Sequence, residues 1–271
     1  MKRSISIIAL TVCFILFADL QATEKINFDL HWKFIQEDVK GAEQAGYNDQ
    51  KWRSLNVPHD WSIEGEYKET ENGTDWQSGY LPVGVGWYRK TFDMDKKWAN
   101  KMVQLMFDGV YLNSDVWING HHLGHRPNGY VSFYYDITPH LKKKGNVIAV
   151  KVDHSKPLTG RWYTGSGIYR SVYLLVHNQT YIDPWGVFFQ TPEVSKEKAA
   201  CKVDVEFVNS TGKALTVKTE LIDKSGKVVS CDEKVTSVKS KGKQQLALSV
   251  DVKNPRLWSS DNPYEIGRAH V

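Results

Sequence analysis

Four glutamates crowd one short stretch of chain: Glu64, Glu66, Glu69 and Glu71. Neighbouring carboxylates can act as general acid and base. These four share a polar stretch with Gly65, Asn72 and Gly73, the composition of a solvated loop, and no catalytic role is assigned to them. Pro58-His59-Asp60-Trp61 sets an imidazole beside a carboxylate. On a strand adjacent side chains point to opposite faces, so His59 and Asp60 are not expected to bond to each other. His121, His122 and His125 suggest a metal site, yet no Cys or acidic partner stands at ligand spacing, and none is expected. Gly165-Ser166-Gly167 lacks the third glycine and the strand–turn–helix setting of a dinucleotide fingerprint. What remains is recognition chemistry. Arg161, Trp162 and Tyr163 run into that turn, and Tyr80 lies in the glycine-rich stretch 79–86, permissive enough to approach a ligand or a neighbouring domain closely.

Composition narrows the partners. The 271 residues carry a net charge of +4 with acids and bases interspersed, and no basic stripe marks a nucleic-acid surface. Ten Trp, thirteen Tyr and ten Phe supply large apolar faces, most of them expected in packing and a few free to meet a ligand. Lys2-Arg3 precedes an apolar run over 5–17, interrupted only by Ser6 and Thr11, with Ala22 available for cleavage. This reads as a secretory signal over 1–22; the run is shorter than the ~20 residues that span a bilayer. Cys13 inside it has no lipidation context. Periplasmic or secreted location follows, with no membrane attachment after cleavage. Export leaves Cys201 and Cys231 in an oxidising compartment. Two buried thiols are expected, with a disulfide as the alternative, because sequence does not bring their Cα atoms within bridging distance.

The elements that must position these residues read as strands. Residues 102–107 form an apolar run. Residues 114–118 lead into Asn119-Gly120, the strongest short hairpin signal, and His121-His122-Leu123-Gly124 leads away. Residues 147–152 and 171–176 are two more strands. The class is all-β, with a jelly-roll sandwich over 23–178. A second unit begins near Tyr181. There Cys201, Val203, Val205 and Phe207 alternate with Lys202, Asp204 and Glu206, as on a half-buried strand. Residues 215–221, 228–229 and 245–252 continue the pattern around a turn at Lys224-Ser225-Gly226-Lys227. An immunoglobulin-like sandwich needs about seven strands; five or six are legible over 181–264, so this unit reads as incomplete. Residues 265–271 break the pattern, the last six of them can be encoded by a common sequencing adapter, and the stretch is expected to be a non-native tail.

Four segments in order, Pro58-His59-Asp60-Trp61, Gly84-Val85-Gly86-Trp87-Tyr88-Arg89, Phe107-Asp108-Gly109-Val110-Tyr111 and the run from Arg161 to Arg170, resemble the sugar-binding domain of family 2 glycoside hydrolases, most closely bacterial β-galactosidases. The resemblance covers roughly 24–264. It implies that a longer protein cleaves terminal β-galactosides with retention, through two glutamates about 5 Å apart on a (β/α)₈ barrel that would follow this chain. This chain would then be a non-catalytic front part, inactive alone, that binds or frames the sugar. By the resemblance, the loop carrying Arg161, Trp162 and Tyr163 and the loop carrying Tyr80 face the barrel's active site, and these four are the expected substrate contacts. The Arg161 guanidinium, with five N–H donors in a fixed fork, would donate to sugar hydroxyls or to a barrel carboxylate; ion pairs made by Arg161 and Arg170 with the barrel are the alternative. In the best-studied branch of the family an acidic residue stands near the place of Arg161, so the role does not carry over directly. No cofactor is expected in this chain, since the family's metal ions, magnesium among them, bind mainly around the barrel. The expected partner is a β-galactoside or a plant or host glycan, and homo-oligomers are expected of the longer protein. β-Glucuronidases and β-mannosidases share the architecture and stay open as parents; a stand-alone carbohydrate-binding protein is the other alternative.

Overall fold

The computed structural model describes residues 23–69, 79–156, 164–235 and 242–264. Their fold is all-β; apart from two single 3-10 turns at Lys96–Trp98 and Thr138–His140, they form fifteen strands. Ten belong to the first sandwich: β1 (Glu24–Asn27), β2 (Trp32–Ile35), β3 (Arg53–Leu55), β4 (Gly84–Phe92), β5 (Met102–Phe107), β6 (Ser114–Ile118), β7 (His121–Arg126), β8 (Phe133–Asp136), β9 (Asn146–His154) and β10 (Val172–His177). They pair into a six-stranded sheet, β3-β2-β4-β9-β6-β7, and a four-stranded sheet, β1-β10-β5-β8, antiparallel throughout. One face of each sheet is apolar because side chains alternate along a strand. Trp32, Phe34, Tyr88, Val116, Ile118, Ile148, Val150 and Val152 meet Leu105, Phe107, Phe133, Val172 and Leu174 between the sheets. The Asn-Gly hairpin forms as expected. Asn119 and Gly120 take φ of 54° and 87°, the left-handed pair that a two-residue hairpin turn requires.

The outer face of the six-stranded sheet is partly covered too. Trp87, Ala149 and Trp117 on that face pack against Ala42, Trp52, Val39 and Tyr47 of the segment joining β2 to β3. Arg89, next to core-facing Tyr88 and so on the outer face, latches that segment. Its Nε donates to Asp49 Oδ2 at 2.8 Å, and its Nη atoms donate to the carbonyl oxygens of Ala42, Gln44, Ala45 and Tyr47.

The remaining five strands form the second sandwich. β11 (Thr180–Val194), β12 (Lys198–Asn209) and β15 (Gly242–Lys253) make one sheet, in that order; β13 (Thr216–Ile222) and β14 (Val228–Val235) make the other. Cys201, Val203, Val205 and Phe207 do point inward, where they pack with Leu221, Leu248, Val250 and Val252. Cys201 and Cys231 are both free thiols. They lie on β12 and β14, in different sheets, and Cys231 is exposed rather than buried, a correction to the expectation of two buried thiols.

A polar clasp joins the sandwiches. Tyr181 stacks on His177, with ring centroids 4.0 Å apart and 16° between planes, and accepts from Gln104 Nε2 at 3.3 Å. Tyr134 donates to Asp183 Oδ2 at 2.8 Å. Lys243 bridges Asp183 and Glu206, at 2.8 Å to each. Burial lowers the pKa of His177 from 6.5 to about 4, against the opposing pull of Asp183 and Asp136. The folded chain therefore keeps this imidazole neutral at a pH where the unfolded chain protonates it. Stability from this group is complete above about pH 6.5 and is lost as pH falls towards 4, by on the order of 3 kcal/mol. Urea titrations at pH 7 and pH 4.5 should show the loss, with His177→Gln flattening it; an equal slope in the variant would sink the assignment.

Candidate functional site

The site is built around the corner Pro58-His59-Asp60-Trp61-Ser62, which is a turn and not a strand. His59 and Asp60 do not bond to each other. Asp60 Oδ1 accepts from the backbone N–H of Ser62 at 2.9 Å and of Ser166 at 2.7 Å. Ser62 Oγ lies 2.6 Å from Ser166 Oγ and donates to the carbonyl of Pro82 at 2.8 Å. Backbone bonds from His59 N to Ile168 O (2.8 Å) and from Trp61 N to Ser166 O (3.2 Å) complete the seam. The corner thus clamps two loops together, one running into Ser166 and the other passing through Tyr80 and Pro82.

Behind the clamp, His154 Nδ1 lies 2.6 Å from Ser166 Oγ. Both residues are buried, and burial lowers the His154 pKa. A Ser–His pair beside an aspartate invites a hydrolytic reading, but the carboxylate spends its oxygen on backbone amides and no solvent reaches the hydroxyl. The pair holds the turn. On its far side Tyr111 and Gly167 exchange both backbone bonds, at 2.9 and 2.8 Å, and Tyr169 Oη donates to Gly129 O at 2.9 Å. Gly167 holds φ +111°, and a side-chain carbon there would run into the Tyr88 hydroxyl.

His59 carries the second layer. Arg53 Nη2 lies 2.7 Å from His59 Nε2 and 2.5 Å from Glu64 Oε2. A guanidinium only donates, so Nε2 accepts and Nδ1–H faces the Tyr88 hydroxyl at 2.7 Å. Burial lowers the His59 pKa, which keeps the ring neutral despite Glu64. Partial burial pushes the Glu64 carboxyl up, but the hydrogen bond and charge of the Arg53 guanidinium hold its pKa low. Glu64 is therefore a fixed anion rather than a proton donor. An open cleft of about 420 Å³ beside it is lined by Phe34, Arg53, Trp61 and Glu64.

Of the expected substrate contacts, Arg161, Trp162 and Tyr163 lie outside the described residues. Tyr80 is 40 % exposed with φ 61°, and its carbonyl accepts from Lys68 N at 2.9 Å. Arg170 lies over the Tyr169 ring, 5.4 Å from its centroid, and makes no ion pair among the described residues. His122 and His125 each bond to Asp115, at 2.8 and 3.0 Å, while His121 stacks on His140. Among the described residues no group of three or more His, Cys, Asp or Glu is placed to hold a metal ion. Sequence reasoning missed Ser62, His154 and the anchoring role of Asp60, none of which has a local signal.

Residues 27–178 match the family description "Glycosyl hydrolases family 2, sugar binding domain", and residues 180–265 match "Glycosyl hydrolases family 2". Among curated relatives, the beta-galactosidase BoGH2A of Bacteroides ovatus is 42% identical over 245 residues, which is 89% of this chain and 29% of that protein. A putative beta-glucuronidase of Formosa agariphila is 39% identical over 263 residues, 96% of this chain and 25% of that protein. The chain thus spans under a third of the length of either. Among solved structures, a beta-glycosidase from Bacteroides vulgatus is 54% identical with a TM-score of 0.79, over 89% of this chain and 30% of that one. The two sandwiches and these matches agree: the chain belongs to glycosyl hydrolase family 2.

Proposed function

We propose that this chain is the exported, non-catalytic front part of a β-galactosidase-like enzyme that hydrolyses terminal β-galactosides with retention. The observation that carries the reading is the 42% identity to a beta-galactosidase across 89% of the chain. Residues 1–22 direct the protein to the periplasm or outside the cell, residues 23–178 frame the sugar, and residues 181–264 link them to a catalytic barrel. Within that frame the 58–62 corner anchors Ser166, which follows Tyr163 in sequence, and Pro82, which follows Tyr80. Arg161 donates to sugar hydroxyls, and the three aromatic side chains offer faces to the ring. Any divalent metal belongs to the barrel.

The test is turnover of chromogenic β-galactoside and β-glucuronide by the full-length enzyme and by this chain. Galactoside turnover by the full-length enzyme, with none by this chain, is the expected result. Turnover of the glucuronide alone would move the parent to the β-glucuronidases, and turnover by this chain would overturn the non-catalytic reading. In the full-length enzyme Arg161→Ala should raise KM about tenfold or more at unchanged Tm. A lower Tm with KM unchanged would make Arg161 a structural ion-pair residue.

A further inference from the structure

The outer face of the six-stranded sheet carries a groove that the clamp does not use. Register builds it. Trp87 on β4 pairs with Lys151 on β9, and Ala149 on β9 pairs with Trp117 on β6, as Lys151 does with Asp115. The small side chain of Ala149 lets the two indoles meet above the sheet, 5.4 Å apart with 27° between planes. His122 on β7 leans on Trp117 at 5.0 Å, and its Nε2 lies 2.8 Å from Asp115 Oδ1. On the opposite rim Lys151 Nζ donates to Asp38 Oδ1 at 2.8 Å. Val39, Lys40, Gly41 and Glu43 of the segment latched by Arg89 complete a groove of about 600 Å³, within the range of about 300–1,000 Å³ of small-molecule sites.

The chemistry of the lining selects a ligand class. Trp117 is half-buried, and its indole offers an apolar platform. Trp87, which also lines the groove, is 3% exposed, and its Nε1 has no hydrogen-bond partner among the described residues. Asp38, Glu43 and Asp115 accept, Lys40 and Lys151 donate when a hydroxyl presents a lone pair, and His122, whose Nε2–H goes to Asp115, offers Nδ1 as a further acceptor. Three carboxylates against two ammonium groups disfavour a phosphate or a uronate. An aromatic platform ringed by alternating acceptors and donors suits a ring with an apolar C–H face and equatorial hydroxyls.

We infer that this groove is a surface subsite for a neutral glycan, with a pyranose stacked on Trp117 and its hydroxyls held by Asp115, Lys151 and Asp38. The inference rests on the groove's own side chains and holds whichever β-glycoside the longer protein cleaves.

Titration of the full chain with neutral tetrasaccharides (β-1,4-galacto-, cello- and xylotetraose), followed through the tryptophan indole N–H resonances, tests it. Trp117→Phe and Trp87→Phe assign the two signals. At least one neutral sugar should shift the Trp117 or Trp87 signal saturably with a midpoint in the millimolar range. Asp115→Asn, a half-exposed position that leaves the core intact, should weaken that binding about tenfold or more, and tetragalacturonate should bind less well. No saturation up to about 20 mM of any neutral sugar, shifts confined to other indoles such as Trp162, or tighter binding of the uronate overturns the subsite. In the longer protein, protection of both indoles from every sugar shows that another part of the enzyme fills the groove, which overturns it equally.

Discussion

Arg89→Ala should destabilise the first sandwich by about 3–5 kcal/mol, the cost of breaking a buried ion pair from one side. The side chain is 1% exposed and donates to Asp49 and to the carbonyls of Ala42, Gln44, Ala45 and Tyr47. Truncation leaves the Asp49 carboxylate, 23% exposed, and those carbonyl oxygens without their donor. Each acceptor left unpaired costs about 1–3 kcal/mol unless water reaches it. Arg89→Met keeps the volume and loses the donors, so it separates packing from hydrogen bonding; it should recover little of the loss. Urea unfolding midpoints at constant slope measure the effect. A loss under about 1 kcal/mol would show that water already satisfies the carbonyls and that the latch is ornamental. Because the latched segment also walls the glycan groove, both variants should lose the Trp117 response.

Gly167→Ala should cost about 2–5 kcal/mol, from backbone strain of about 1–3 kcal/mol and overpacking of similar size. The backbone there has φ +111°, which L side chains rarely adopt. The new methyl would meet the hydroxyl of Tyr88, then the His59 carbonyl and the Trp61 ring. Tyr88 has no room to retreat, since it is fully buried and its hydroxyl lies 2.7 Å from His59 Nδ1. Removing that hydroxyl relieves the steric part alone. The double variant with Tyr88→Phe should therefore lie at least about 1 kcal/mol above the additive expectation. Additivity within about 0.3 kcal/mol would show that the clash with the Tyr88 hydroxyl carries none of the effect. Arg161, Trp162 and Tyr163 precede the turn in sequence, so on the proposed reading that they contact the sugar, Gly167→Ala in the full-length enzyme should raise KM even where the protein stays folded.

The parts of this fold written in local signals were legible in the chain. Asn119-Gly120, the apolar run of β5 and the alternation of β12 each depend on residues a few positions apart. β11 was not legible, because Pro184 and Gly186 interrupt its alternation and its pairing with β12 shifts register between Ile182 and Val187. β1, β2, β3 and β8 span only three or four residues and gain their stability from neighbours. The candidate site divides in the same way. Its turn, Gly165-Ser166-Gly167, stood out as a motif, while its anchor did not: Asp60 and Ser166 are 106 residues apart, and nothing in either neighbourhood records the other. His59-Asp60 was expected to act separately because of strand geometry. They do act separately, but on a turn, where each side chain is claimed by a different partner.

The placement of the two thiols gives the second sandwich an address. Burial pushes the Cys201 thiol up in pKa and shields it, so it presents little thiolate to a reagent. Cys231 stands exposed on β14, and among the described residues it is the only accessible sulfhydryl. A maleimide dye therefore labels residues 23–264 at one known point among the described residues, without any engineered cysteine. From there, energy transfer out of the tryptophan-rich first sandwich becomes an optical ruler across the His177–Tyr181 junction, able to register whether the clasp stays shut as pH falls.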